Sequence, residues 1–154
     1  MTKIAGHLMR NATPQEHTPL LKDLTGTGFL LRNTHIKRLR STNAAVHLFD
    51  VIGPQGNRLG VANLVVEPSV DAIRDFGHVC VTLAEDNSNS QLLTDAAQLL
   101  FDTAYKLGLK EIRVVSPKDH ADSVCACEAL NPDTTAEPLN RDGKSFLSYR
   151  YCKR

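Results

Sequence analysis

The stretch Glu85–Ser116, EDNSNSQLLTDAAQLLFDTAYKLGLKEIRVVS, carries the clearest chemical suggestion in the chain. An apolar run ends just before it, a run of Asn and Ser follows, and from Gln91 onward the pattern is helical. The first turn of a helix leaves backbone N–H groups without intrahelical partners, and the helix dipole adds positive potential there. A polar loop feeding a helix start can therefore hold a phosphate. The donors would be the backbone N–H groups of Asn89, Ser90, Gln91, Leu92 and Leu93, with side-chain help from Ser88 or Ser90. The same residues allow a plainer arrangement. Ser88 can cap the helix with Gln91 three residues on, a capping-box pattern that engages those donors internally.

Other reactive residues form weaker constellations. His78 and Cys80 stand two apart on one apolar strand, so they share a face without making a nucleophile–base pair. The chain has no G-x-S-x-G elbow, no Walker loop and no dinucleotide fingerprint. Cys125 and Cys127 are too close for a common zinc site, and no His-x-x-x-His pair exists, so no metal is expected. With Cys80 and Cys152 the four cysteines read as reduced thiols. One basic cluster, His35, Lys37, Arg38 and Arg40, reads as a solvated helix face or loop, or else as a patch for an anion or partner.

Composition bounds the rest. At 154 residues, 42% of them apolar, the chain makes one domain spanning 1–154. A formal charge of +1 gives no signature of nucleic-acid binding. No apolar run approaches the ~18 residues of a membrane span. The start, MTKIAGHLMRNATPQ, lacks the apolar core of a signal peptide, so a cytoplasmic protein without a membrane partner is expected.

The elements that must position these groups follow from periodicity. A short strand opens the chain. Thr13 then caps a helix with Pro14 at its first position and Glu16 three residues on. Leu20, Leu21 and Leu24 form its apolar face, and Gly26–Gly28 end it. Phe29–Thr42 is read with a short helix. Ala45–Ile52 and Arg58–Pro68 form a hairpin around GPQGN, and SVDAIRDFG is a loop. His78–Ala84 is a third long strand, with Val79, Val81 and Leu83 on one face and His78, Cys80 and Thr82 on the other. Leu92, Leu93, Ala96, Leu99, Leu100, Ala104 and Leu107 recur at helical spacing, with Gly108 as C-cap. KEIRVVS returns as a strand, so strand, helix and strand make a βαβ crossover whose two strands should be parallel. A helix over His120–Leu130 follows, then a turn at Arg141–Gly143 and a strand over Lys144–Tyr151. The fold class is α/β in the mixed α+β sense, a mixed sheet flanked by helices with antiparallel N-terminal strands.

In this order the chain resembles the GNAT superfamily of acyl-CoA-dependent N-acetyltransferases. LMRNATPQEHTPLLKDL is similar to its opening strand and helix, and GNRLGVANLVV to its third strand. TDAAQLLFDTAYKLGLKEIRVV is similar to the helix and strand after its CoA loop. HADSVCACEAL resembles its N-x-x-S-x-x-x-x-E-x-L helix, with Ser123, Glu128 and Leu130 in register and His120 where Asn is usual. The serine leans toward the branch that holds ribosomal-protein N-terminal acetyltransferases. Two departures stand out. The glycine positions of the pyrophosphate motif R/Q-x-x-G-x-G/A fall on Asn89 and Gln91, and LNP at Leu130–Pro132 replaces L-G-F.

The resemblance implies an activity and a site. Acetyl-CoA would be co-substrate and an amine the acceptor, with no metal. The pantetheine arm would lie along the backbone of Thr82, Leu83 and Ala84, where the family's strand splays from its neighbour. The base, commonly Glu, falls near His78, whose pKa suits the task, although a strand-end histidine reads the same way; Glu85 is a second candidate. The family's acid, a Tyr, falls on Cys127, with Ser123 as the alternative donor near the sulfur. Tyr149 and Tyr151 either line the acceptor site or pack with a wet tip. Segments 29–42 and 69–76 would set acceptor specificity, and the last strand offers an edge for a homodimer. The missing glycines and Tyr also fit a catalytically inactive module of the same fold that binds a partner, with THIKRLRS as contact surface.

Overall fold

The computed structural model describes residues 9–11, 21–39, 44–66, 73–74, 76–87 and 89–153. The larger sheet has six strands. Its order is β1 (Met9–Asn11), β3 (Leu30–Leu39), β4 (Ala45–Ile52), β5 (Arg58–Val65) and β6 (Val79–Leu83), with β2 (Leu24–Thr25) also paired to β3. The smaller sheet runs β7 (Glu111–Pro117), β9 (Lys144–Cys152), β8 (Glu137–Arg141). Every pairing in both ladders is antiparallel. Two long helices follow, α1 (Ser90–Lys106) and α2 (Ala121–Ala129), and Ile73, Arg74 and Phe76 are helical as well, where SVDAIRDFG reads as a loop.

Helix α1 joins the two sheets because its apolar stripe is wide and unbroken. Leu93, Ala96, Ala97, Leu100, Phe101 and Ala104 are all buried. They share one core with Leu31, Phe49, Val51, Ala62, Leu64 and Val79 of the larger sheet and with Ile112, Tyr149 and Tyr151 of the smaller. The register explains the selection. Phe49 lies opposite Ala62, Ala62 opposite Val81, and Leu64 opposite Val79, so these side chains line one face. The other face buries Val46 and Val65 under Ile73 and Phe76. Arg141 stacks between the rings of Phe76 and Phe146 at 4.5 and 4.3 Å, which ties the β8–β9 hairpin to the segment before β6. The fold class is the one expected, an α+β arrangement of antiparallel strands and helices.

Three local expectations change. The Phe29–Thr42 segment holds no helix among its described residues; it is the ten-residue strand β3. A bulge between Asn33 and His35 moves the inward face from Leu31 to Ile36, so neither period 2 nor period 3.6 survives across it. Three members of the basic cluster, His35, Lys37 and Arg38, therefore lie on a strand, with Arg38 buried and His35 exposed, and Arg40 falls outside the described residues. Leu24 belongs to β2, opposite Leu31, and Leu21 is not helical. The helix expected from Thr13 through Leu20 lies outside the described residues. Third, β6 and β7 form no parallel ladder, since they are edge strands of separate sheets.

The last segment also holds a strand that the sequence pattern hid. β8, EPLNR, carries one half-buried apolar side chain, too little pattern to mark a strand. Its turn into β9 is as expected, with Asp142 at φ 53° and Gly143 at φ 75°. No helix among the described residues is long and apolar enough to cross a membrane.

Candidate functional site

Among the described residues the two sheets are joined edge to edge by an isolated bridge between Gly77 and Val114. Gly77 has φ +79°, and an added Cβ there would lie 2.7 Å from the Arg113 carbonyl oxygen, so glycine is required twice over. His78 then engages Arg113 on both its polar groups. Its backbone N–H donates to the Arg113 carbonyl at 2.8 Å, and Arg113 N–H donates to the imidazole Nδ1 at 2.9 Å. The ring thus takes a donor that a ladder carbonyl would otherwise take, and among the described residues no ladder joins β6 to β7 beyond this point. Past the junction the facing edges of β6 and β7 share no ladder among the described residues, and this unpaired seam is the slot.

Register fixes which groups of β6 face that slot. Ala84 N–H donates to Leu59, and Val65 N–H donates to the His78 carbonyl. Even-numbered residues of β6 therefore turn their peptide groups toward β5. In an antiparallel ladder the alternate residues, Val79, Val81 and Leu83, turn theirs the other way, to the open edge. Of the three residues expected along a donor's arm, Leu83 presents N–H and C=O to the slot, while Thr82 and Ala84 face β5.

His78 itself is buried, and burial lowers its pKa to about 4, against a smaller upward pull from Glu111 and a further lowering by Arg113. The ring is neutral near pH 7, with Nδ1 accepting and the proton on Nε2. Its basic lone pair is engaged, so taking a proton from an amine would require breaking the Arg113 bond.

The loop at the other end of β6 is built differently. Glu85–Asn87 make a short 3-10 turn, and Asn89 caps α1. Its Oδ1 accepts from Gln91 N–H at 2.8 Å and Leu92 N–H at 3.2 Å, and its carbonyl accepts from Leu93 N–H. The cap is thus Asn89 rather than Ser88, which lies outside the described residues. The Gln91 amide, expected to reach back to the cap, instead donates forward to Asp95. Among Ser90–Leu93, the Ser90 N–H is the donor without an acceptor among the described residues. Charge opposes an anion as well. From Ala84 to Tyr105 the sequence has Glu85, Asp86, Asp95 and Asp102 and no Lys or Arg, and Glu85 and Asp86 are exposed.

The third group of candidates lies on α2 and β9. His120 caps α2, its Nδ1 accepting from Ser123 N–H at 3.1 Å, and Ser123 is half-buried. Cys127 is buried, and its thiol is pushed up to about 12, chiefly by desolvation, so it stays protonated. Glu128 and Cys80 add to that rise. The Tyr151 hydroxyl donates to the Cys127 carbonyl at 2.7 Å, and its ring lies 4.8 Å from that of Phe101. Tyr149 is 1% exposed, and its hydroxyl has no partner in good hydrogen-bond geometry among the described residues. Burial first, then Cys127 and Glu128, push its pKa up to about 12.

The structure thus brings Cys127, Tyr149 and Tyr151 together within reach of the Cys80 and Glu128 fields. It places His78 at the sheet junction, where the charges acting on it are Glu111 and Arg113 rather than groups of α2. A concavity of about 410 Å³ lies elsewhere, between Thr25–Phe29 and the Asp95–Asp102 flank of α1, and none of the expected site residues lines it. Gly77 and Arg113 were missed from sequence. A glycine directly before an apolar strand was the available signal for the first; nothing local marked Arg113, which acts through its backbone.

Comparison with known proteins bears on the fold alone. No family model matches the chain, and no curated protein matches it. Solved structures do. A mutant of the spermidine N-acetyltransferase SpeG from Vibrio cholerae matches with TM-score 0.55 at 14% identity, over 70% of this chain and 64% of that one. A Bordetella pertussis protein assigned to the GNAT acetyltransferases matches with TM-score 0.54 at 16% identity, over 68% and 65%. This chain has the GNAT fold. A Salmonella typhimurium acetyltransferase that modifies the N-terminal serine of ribosomal protein L7/L12 matches as well, with TM-score 0.52 at 16% identity over 71% and 64%. The match spans less than two thirds of the length of each of these three proteins. Polyamine and ribosomal-protein acetyltransferases match alike, so the comparison favours neither branch.

Proposed function

We propose that the protein is an acyl-CoA-dependent N-acyltransferase whose acyl-pantetheine arm lies in the slot between β6 and β7. The slot carries this reading. An extended arm with amide groups can pair with the N–H and C=O groups that Val81 and Leu83 turn to the open edge, and such pairing needs no particular side chain. The acceptor is an amine of a peptide or small molecule. Protonated donors stand ready on α2 and β9: Ser123, the Cys127 thiol and the Tyr149 hydroxyl are the candidates to meet a leaving thiolate. His78 is kept as candidate base only through release of its Arg113 bond. The test is release of free thiol from acetyl-CoA in the presence of a panel of amines, with mass detection of the acylated product. Amine-dependent release that falls in Ser123→Ala supports the reading; no release with any amine counts against it.

A second reading is favoured by the helix cap. Asn89 occupies the Gln91 and Leu92 donors, and Glu85, Asp86 and Asp95 flank them in sequence, which fits a non-catalytic module of the same fold acting through a partner. Under that reading acetyl-CoA does not bind at millimolar concentration.

A further inference from the structure

The residues present fit one half of coenzyme A and not the other. Resting on the reading above, we infer that the site recognises its acyl donor through the pantetheine half alone, and that the phosphates of the nucleotide half gain no hold on the protein. The donor class is an acyl-pantetheine thioester whose distal end carries little or no negative charge.

Three observations on separate residues converge. The slot edge supplies main-chain donors and acceptors at Val81 and Leu83, which suit the amides of a pantetheine arm. At the helix start, Asn89 Oδ1 and the Asn89 carbonyl hold the N–H groups of Gln91, Leu92 and Leu93, three of the five donors from Asn89 to Leu93. A pyrophosphate bridges several donors at once, so engaging most of them inside the protein weakens its hold. Around that point Glu85 and Asp86 are exposed, and no Lys or Arg occurs from Ala84 to Tyr105. Carboxylates at this range repel phosphates, and the repulsion is screened by salt.

Titration calorimetry of the full chain with CoA, pantetheine and adenosine 3′,5′-bisphosphate, at about 20 mM and about 200 mM salt, tests this, since the screening length changes severalfold between the two. Pantetheine and CoA should bind within about threefold of each other, the bisphosphate should not bind, and salt should tighten CoA while leaving pantetheine unchanged. CoA binding more than about thirtyfold tighter than pantetheine, or bisphosphate binding on its own, overturns the inference and leaves the acyl-CoA reading standing. Binding of neither CoA nor pantetheine overturns that reading and the inference with it. The double variant Asn89→Gly, Asp86→Arg frees two donors and reverses one charge, and should gain about tenfold for CoA with no gain for pantetheine. Asp86→Asn, a smaller change that leaves the cap intact, should gain about twofold to threefold. An equal effect on both ligands in either variant refutes the inference.

Discussion

The two ends of β6 solve opposite problems with opposite materials. At its start, Gly77, His78 and Arg113 fix a junction that leaves the strand edge open, and the resulting slot is made of backbone. At its end, the 3-10 turn and Asn89 close a helix start with a side chain. A backbone site tolerates nearly any sequence that keeps the strand. A helix-start site depends on which side chain claims the donors and on the charges nearby. The GNAT fold can therefore keep the first feature while losing the grip of the second.

The largest expected effect lies at the junction. In His78→Ala the Arg113 N–H loses its acceptor in a buried setting and a ring-sized space is left behind. The expected loss is about 3–4 kcal/mol of stability, read from urea unfolding midpoints. Wild-type stability in this variant would mean that the imidazole does not hold the sheets together. The same residue gives a pH signature of nearly equal size. In the unfolded chain the ring takes a proton near 6.5, and in the fold only near 4. Between these values the unfolded state binds more protons, so stability is complete above about 6.5 and is lost as pH falls through about 4. The interval corresponds to about 3 kcal/mol. Melting curves from pH 7.5 to 4 should show this loss in the wild type beyond that in His78→Ala; parallel curves would place the ring in solvent.

How far the sequence reveals this contrast follows from the same materials. The helix start was legible, because N-caps are written in side chains: Asn and Ser before an apolar 3.6 period mark the start of α1 to within a residue. The choice of Asn89 over Ser88 was not, since both are good caps and backbone angles decide between them. Helix α2 and the Asp142–Gly143 turn were legible for similar reasons. The slot was invisible because it consists of peptide groups, and its latch pairs residues 35 apart in the chain. β3 was misread because its bulge breaks the alternation at Asn33–His35. β8 was missed because a short polar strand on the edge of a small sheet carries little apolar pattern. Among the candidate site residues, the joint burial of Cys127, Tyr149 and Tyr151 was half legible, as the two tyrosines share a face of β9 by period 2.

A smaller effect is expected at the helix start. Asn89→Ala removes the acceptor for two N–H groups that water can still reach, so the loss should be about 1 kcal/mol, against a few tenths for Asn89→Gly. Thermal unfolding of both variants measures the difference. A loss of about 3 kcal/mol or more in Asn89→Ala would mean that the cap organises the whole loop, and would turn the contrast between the two ends of β6 into a likeness.

The smallest effect has the opposite sign. The Tyr149 hydroxyl is buried without a partner in good hydrogen-bond geometry among the described residues, although the Glu128 carboxylate acts on it, an arrangement that costs free energy in the fold. Tyr149→Phe should leave stability unchanged or raise it by about 1 kcal/mol, at neutral pH where the phenol is uncharged in both states. The physical reason for keeping such a group would have to lie in a ligand that completes it. If stability holds and acyl transfer falls in Tyr149→Phe, the hydroxyl meets the substrate, and a side chain from the smaller sheet contributes to a slot otherwise made of backbone. Should stability and transfer both be untouched, the tyrosine is packing alone, and the slot depends on the main chain at every point where it meets the arm.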